Sequence, residues 1–239
     1  MSNLEPNPGA QLLEPERAPK PIRLIETVLP LSLIGAILFL FLFSWLAHEV
    51  FEGATVRFDS AIRGWVHQFA SLDLTQAMFA ISWMGARGLL LLFLISIVSF
   101  LFFRWRRAAL WLFLSVAGAD VLILTLKYTF HRQRPAAFVG VDPTSYSFPS
   151  GHSLASFCFY LVLAGLLSSR VRSSGLRIAV WIVAALLVAA IGLSRIYLGM
   201  HYPSDVIGGY LAAAVWVTTL LAADHMRGRR RTRAATEKL

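Results

Sequence analysis

Six long apolar runs, separated by short segments in which arginine recurs, constrain this chain more than any other feature of its sequence. They lie near residues 24–47, 86–103, 108–129, 152–169, 177–194 and 204–223. About 20 apolar residues are what an α-helix needs to cross a ~30 Å hydrocarbon core. Inside a bilayer each backbone amide must find its partner within its own segment, so such runs fold as helices. The expected fold class is all-α: a polytopic membrane protein with six transmembrane helices. Composition agrees, since 57% of the 239 residues are hydrophobic and only 15% charged, where a soluble domain carries roughly 25% charged residues.

Between the first two runs, residues 54–73 follow a different pattern. Phe58, Ile62, Trp65 and Phe69 recur at helical spacing, with Arg57, Asp59, Arg63 and His67 on the other faces. That amphipathy predicts an interfacial helix rather than a seventh span. The apolar residues 75–84 either extend the second span or form a separate short helix. Residues 1–22 hold five prolines among mixed charges and read as a disordered cytoplasmic tail. They are too long and too acidic for a signal-peptide start, so the first run is expected to stay in the membrane. A six-span domain over 23–223 and a basic cytoplasmic tail over 224–239 complete the organisation.

The formal net charge of +9 would raise the question of nucleic acid in a soluble protein. Here the arginines sit between apolar runs without aromatic interleaving, which argues for no nucleic acid partner. Arg17, Lys20 and Arg23 precede the first span, and Arg104, Arg106 and Arg107 separate the second from the third. Arg170, Arg172 and Arg177 separate the fourth from the fifth, and Arg227, Arg229, Arg230, Arg231, Arg233 and Lys238 follow the sixth. Fifteen of the 22 Lys and Arg thus fall on one face. The positive-inside rule makes that face cytoplasmic, with both termini inside, as an even number of spans requires. A multi-pass protein of the plasma (inner) membrane is expected. The single cysteine, Cys158, lies in an apolar segment and reads as a small packing residue, with no disulfide or cysteine-based metal site available.

Three clusters fall at the opposite, non-cytoplasmic ends of spans three to six. Lys127 and Arg134-Pro135 form the pattern K-x6-R-P; Pro149-Ser150-Gly151-His152 opens the fourth span; Ser194-Arg195, His201 and Asp205 form S-R-x5-H-x3-D. Taken singly, each has an ordinary explanation. Lys127 could snorkel to headgroups, His152 could neighbour a helix cap, and His201 and Asp205 at i, i+4 could share a structural hydrogen bond. Together they are chemically complementary. Lys127, Arg134 and Arg195 supply three cations, two of them guanidinium forks suited to phosphate. Ser150 can cap the helix it precedes, leaving the Gly151 and His152 amides at the positive end of the helix dipole. Pro203 suits the first turn of the sixth span, which puts Asp205 where its carboxylate can hold one nitrogen of His201 and leave the other as a nucleophile.

These eleven positions resemble the signature of the type 2 phosphatidic acid phosphatase and vanadium haloperoxidase superfamily, in its membrane-embedded lipid phosphatase branch. The resemblance covers roughly residues 50–222. It implies hydrolysis of a lipid phosphate or diphosphate (phosphatidic acid, phosphatidylglycerol phosphate or undecaprenyl diphosphate type) with the bilayer and a membrane lipid substrate as partners. It further implies that His201 forms a phosphohistidine, that Asp205 orients His201, and that His152 protonates the leaving oxygen and then activates water. Lys127, Arg134, Ser150, Gly151 and Arg195 would hold the phosphoryl oxygens. No cofactor and no catalytic metal are implied, because the cations do what magnesium does elsewhere.

Two other readings compete. A haloperoxidase shares such a pocket, but six spans argue against that soluble branch. A non-catalytic lipid-phosphate binding or transport protein would be expected to have lost at least one of His152, His201 and Asp205. Outside the motifs, Asp120 falls mid-span, where a buried polar partner for a neighbouring helix, or a protonated carboxyl, is expected ahead of a functional role. His131 and Arg132 are expected either to recognise a second phosphate or headgroup, or to anchor at the exposed interface. Trp45, Trp65, Trp83, Trp105 and Trp111 suggest aromatic belts.

Overall fold

The structure, a computed structural model, describes residues 23–139 and 145–236, with side chains for 28–139 and 145–227. The tail placed at 1–22 lies outside the described residues. The elements are α1 (Arg23–Phe51), α2 (Val56–His67), α3 (Leu72–Met84), α4 (Arg87–Phe102), α5 (Arg106–Phe130), α6 (Gly151–Ser156), a π-helical turn (Phe157–Leu161), α7 (Val162–Ser168), α8 (Ser174–Tyr197) and α9 (Pro203–Thr236). Among the described residues every element is helical, and six stretches are long and apolar enough to cross a membrane. The second of these, Leu72–Phe102, is built from two helices. The 16 residues of α4 rise only about 24 Å, so α3 completes the crossing. Residues 75–84 therefore form a separate helix that serves the same span. The sixth helix continues past its span, which ends at Arg227, as far as Thr236, so the basic segment from 224 begins as an extension of α9.

Many large apolar side chains face outward, while the core combines Leu112, Phe148, Leu154, Phe159 and Ile191 with a set of buried alanines. Leu31, Ile34, Ile37, Phe41, Leu90, Val98, Phe102, Ile178 and Leu186 are exposed, whereas Ala119, Ala164, Ala184, Ala212, Ala213 and Ala222 are buried. Lipid tails solvate leucine as well as another helix does, so bundles in membranes are held by close contact between small residues. One such contact joins α6 to α9. A Cβ on Gly209 would stand 2.7 Å from the Ser150 carbonyl oxygen and 3.2 Å from the Leu154 nitrogen. The longest helix pairing is α1 along α9. At the arginine-rich end, Arg107 forks onto Asp224 at 2.5 and 2.7 Å, and the Arg170 guanidinium lies 4.1 Å over the Trp105 ring. Trp45, Trp65 and Trp83 are exposed, as a belt requires, while Trp105 packs against Phe100 and Phe103.

One expectation is corrected. Asp120 is exposed rather than buried, with no hydrogen bond or ion pair among the described residues. At its middle α5 buries Leu112, Ser115 and Ala119, and one further residue of about 100° rotation sets Asp120 at the edge of that stripe. The interfacial helix expected within 54–73 is α2, and its amphipathy runs the other way from that of a soluble surface helix. Phe58, Trp65 and Phe69 are exposed, whereas Asp59 is fully buried and Arg63 is partly so. The twelve residues of α2 are too short to span, and this helix turns its charges toward the protein.

Gly209→Val should destabilise the protein by about 1–3 kcal/mol, because the added methyls meet backbone that cannot yield. Thermal unfolding in detergent checks this; an unchanged midpoint would show that the α6–α9 contact is looser than described.

Candidate active site

The site gathers at the end of the bundle where α5, α8 and the start of α6 and α9 converge, opposite the arginine-rich end. Each motif is placed by a local backbone device. Ser150 caps α6 and accepts from the Ser153 amide, so Gly151 and His152 hold the first two amides of the helix, which have no intrahelical acceptor. Pro203 opens α9, with Asp205 in its first turn. The Asp205 carbonyl accepts the Ser150 amide at 2.9 Å, which pins the two helix starts, and with them both histidines, to one point. Between Arg195 and His201 the chain reverses through Gly199 at φ +75°, where a Cβ would lie 2.4 Å from the Phe138 nitrogen. Only glycine fits that left-handed, crowded position.

The electrostatics of His201 follow from its neighbours. Its Nδ1 is 3.4 Å from Asp205 Oδ2, and its Nε2 is 3.0 Å from a terminal nitrogen of Arg134. Arginine can only donate, so Nε2 carries the lone pair and Nδ1 carries the proton that faces Asp205. Burial pushes the imidazole from its ordinary 6.5 down to about 4; Asp205 opposes that shift, and Arg134 and Arg195 add to it. The ring is therefore neutral near pH 7, with its free lone pair toward the guanidinium of Arg134. Asp205, fully buried, also accepts from the Ser147 hydroxyl, the Tyr202 amide at 2.9 Å and Arg132 at 2.6 Å.

The other cations surround this pair. Lys127 is buried and donates to the Tyr146 carbonyl at 2.7 Å. Arg134 donates to the carbonyls of Ser145 and Met200 at 2.6 and 2.7 Å. Arg195 donates to the Ser82 hydroxyl at 2.5 Å and to Met200 Sδ at 2.8 Å, while its Nε is buried without a partner. His152 is within electrostatic range of Arg195, His201, Arg134 and Lys127. The eight residues expected from the sequence thus lie near one another: hydrogen bonds join Arg134, His201, Asp205 and Ser150, Gly151 follows Ser150 at the start of α6, and Lys127, Arg195 and His152 are within electrostatic range of them. An unpartnered buried donor costs roughly 1–3 kcal/mol, and a phosphoryl oxygen is the natural acceptor for it.

The sequence of the PAP2 superfamily matches residues 108–229 of this chain. The chain belongs to the PAP2 superfamily. Phosphatidylglycerophosphatase B of Bacillus subtilis is 35% identical over 175 residues, covering 72% of this chain and 86% of that one. The crystal structure of a transmembrane PAP2-type phosphatidylglycerolphosphate phosphatase from Bacillus subtilis superposes with a TM-score of 0.74 at 28% identity, over 80% of this chain and 96% of that one. Undecaprenyl-diphosphatase of Sulfolobus acidocaldarius is 32% identical over 126 residues, half of this chain and 56% of that one. The protein is a multi-pass membrane member of the PAP2 lipid phosphatases.

Several residues of this cluster were not found from sequence. Ser147, Ser82, Tyr202 and Ser204 carry no spacing signal. Arg132 is corrected outright. It is neither a headgroup reader nor an exposed anchor, because its guanidinium lies between two fully buried carboxylates, 2.6 Å from Asp205 and 2.8 Å from Asp59. His131 ends α5 in the left-handed conformation and packs its ring 4.6 Å from that of Tyr146.

Because the folded pKa of His201 lies below its ordinary value, the unfolded chain binds the extra proton between about pH 6.5 and 4. Stability is then lost as pH falls through that window. His201→Asn should lose less stability than wild type over the same interval in detergent unfolding; equal slopes would show an ordinary histidine.

Proposed function

We propose that the protein hydrolyses a lipid phosphate or diphosphate through a phosphohistidine formed on His201, without a catalytic metal. Nε2 of His201 attacks phosphorus as the bond to the leaving oxygen breaks, and His152 gives that oxygen a proton. The positive charge gathered on the ring is offset by Asp205 across Nδ1. Water then attacks the phosphohistidine with His152 as base, the P–N bond breaks, and phosphate leaves with His201 neutral again. Lys127, Arg134, Arg195, Ser150 and the Gly151 amide hold the phosphoryl oxygens and the charge that grows on them. The observation that carries this reading is the polarity of the His201 ring, its lone pair toward Arg134 and its proton toward Asp205.

The substrate class we infer is a glycerophospholipid phosphate such as phosphatidylglycerol phosphate or phosphatidic acid, with polyprenyl diphosphate of the undecaprenyl type as the other candidate. The similarity to phosphatidylglycerophosphatase B along 86% of that enzyme supports the first. With 15 of 22 Lys and Arg in the sequence segments that adjoin the other ends of the spans, the site is assigned to the non-cytoplasmic face, both termini to the cytoplasm. A lipid can then present its headgroup while its chains stay in the bilayer.

His201→Ala should abolish phosphate release by the purified protein, and Asp205→Asn should lower it by roughly 10²- to 10⁴-fold without loss of fold. Turnover by His201→Ala would remove the nucleophile assignment. Wild-type turnover should also persist in excess chelator, and strict dependence on magnesium would contradict a site built on cations alone.

A further inference from the structure

The first motif carries one arginine more than the phosphate cradle uses. Arg134 touches Nε2 of His201, but Arg132 binds Oδ1 of Asp205, the oxygen that His201 does not share. Its other terminal nitrogen reaches Asp59 Oδ2 at 2.8 Å and Thr55 Oγ1 at 3.3 Å. Ser204 closes the ring of contacts. Its hydroxyl accepts from Arg132 at 2.8 Å and donates to Asp59 Oδ2 at 2.7 Å, and its amide donates to Asp59 Oδ1 at 2.9 Å. The Tyr202 ring lies 4.3 Å beneath the guanidinium. Both carboxylates are fully buried, and the arginine side chain is 13% exposed.

A buried carboxylate paired with a single guanidinium is a neutral pair. It would accept the Nδ1 proton of His201 weakly and would stabilise poorly the positive ring that P–N bond formation creates. A second carboxylate on the same guanidinium returns a net charge of −1 to the group of three. We propose that Arg132 and Asp59 are positioning residues: the fork of Arg132 fixes the Asp205 carboxylate, and Asp59 restores the negative charge that His201 needs as it takes up phosphorus. Asp59 belongs to α2, whose outer residues Phe58 and Trp65 are exposed. The short helix at the bundle's rim is thereby tied to the nucleophile through one guanidinium. This inference rests on the phosphatase reading above.

The test is a charge cycle. Asp59→Asn, Arg132→Gln and the double variant are purified in detergent, checked for helicity and monodispersity, and assayed for phosphate release from phosphatidylglycerol phosphate, phosphatidic acid and a polyprenyl diphosphate. On the lipid that wild type cleaves, each single change should lower kcat about tenfold or more while KM stays within about twofold. The double variant should recover kcat at least about threefold above either single, because removing both charges leaves Asp205 with −1 again. Losses that multiply in the double variant would reduce the triad to a structural tie and overturn the proposal. A raised KM with kcat kept in Arg132→Gln would make Arg132 a substrate contact, with the same consequence. If the neutral variants do not fold, Arg132→Lys keeps the charge but cannot fork across two carboxylates; reduced kcat in a well-behaved protein is expected, and full kcat overturns the proposal. Absence of phosphate release by wild type from every lipid would instead sink the phosphatase reading, and is read separately.

Discussion

Asp205 joins the two halves of the site, and the rest of the arrangement follows from how it is held. Its carbonyl accepts the Ser150 amide, which fixes the start of α6, and so His152, against the start of α9. Its carboxylate takes hydrogen bonds from the Ser147 hydroxyl, the Tyr202 amide, Arg132 and His201. A fully buried carboxylate would be prohibitively costly if left alone; with these donors it becomes a fixed, charged reference point. The orientation of the His201 ring is a consequence of that point and of Arg134 on the opposite nitrogen. In the proposed mechanism, preorganisation of this kind would let charge develop on phosphorus without the protein having to rearrange dipoles around it.

The bilayer explains how so polar a centre is supported. Close helix contacts in the membrane rest on small residues such as Gly209 against Ser150 and Leu154, and those contacts also bring the polar ends of α5, α6, α8 and α9 together. Many other large apolar residues, such as Ile34, Phe41 and Leu186, are exposed on the outside of the bundle. The two ends of the bundle then differ in chemistry. One is lined with arginines that pair locally, as Arg107 does with Asp224, and the other collects cations whose remaining donors face inward.

Spans and motif positions were legible in the sequence because each rests on a local rule: length and apolarity for a helix, Ser150 for a cap, Pro203 for a first turn. The eight site residues came together in space because helix starts and ends determine where such residues lie. What escaped the sequence was long-range. Asp59 and Arg132 are 73 residues apart, and no periodicity announces that a charge on α2 faces inward when its apolar neighbours can face lipid. The split of the second span into α3 and α4 also depends on tertiary contact. Gly85, at the break, lies where a Cβ would come within 2.6 Å of the Ile191 side chain and 3.1 Å of the His152 ring. Asp120 was misread for a related reason, since a position one residue off the inward stripe cannot be told from one on it without the packing of α5 in hand.

The account stands on His201 as the atom that takes the phosphoryl group. Rapid acid-free quenching of the His152→Ala variant during turnover, followed by peptide mass spectrometry under conditions that preserve P–N bonds, tests this most directly. A phosphoryl group on the peptide that carries His201, and absent when His201 is also replaced, is the outcome expected. Phosphate attached to another side chain, or direct transfer to water with one inversion at a chirally labelled phosphorus, would contradict it.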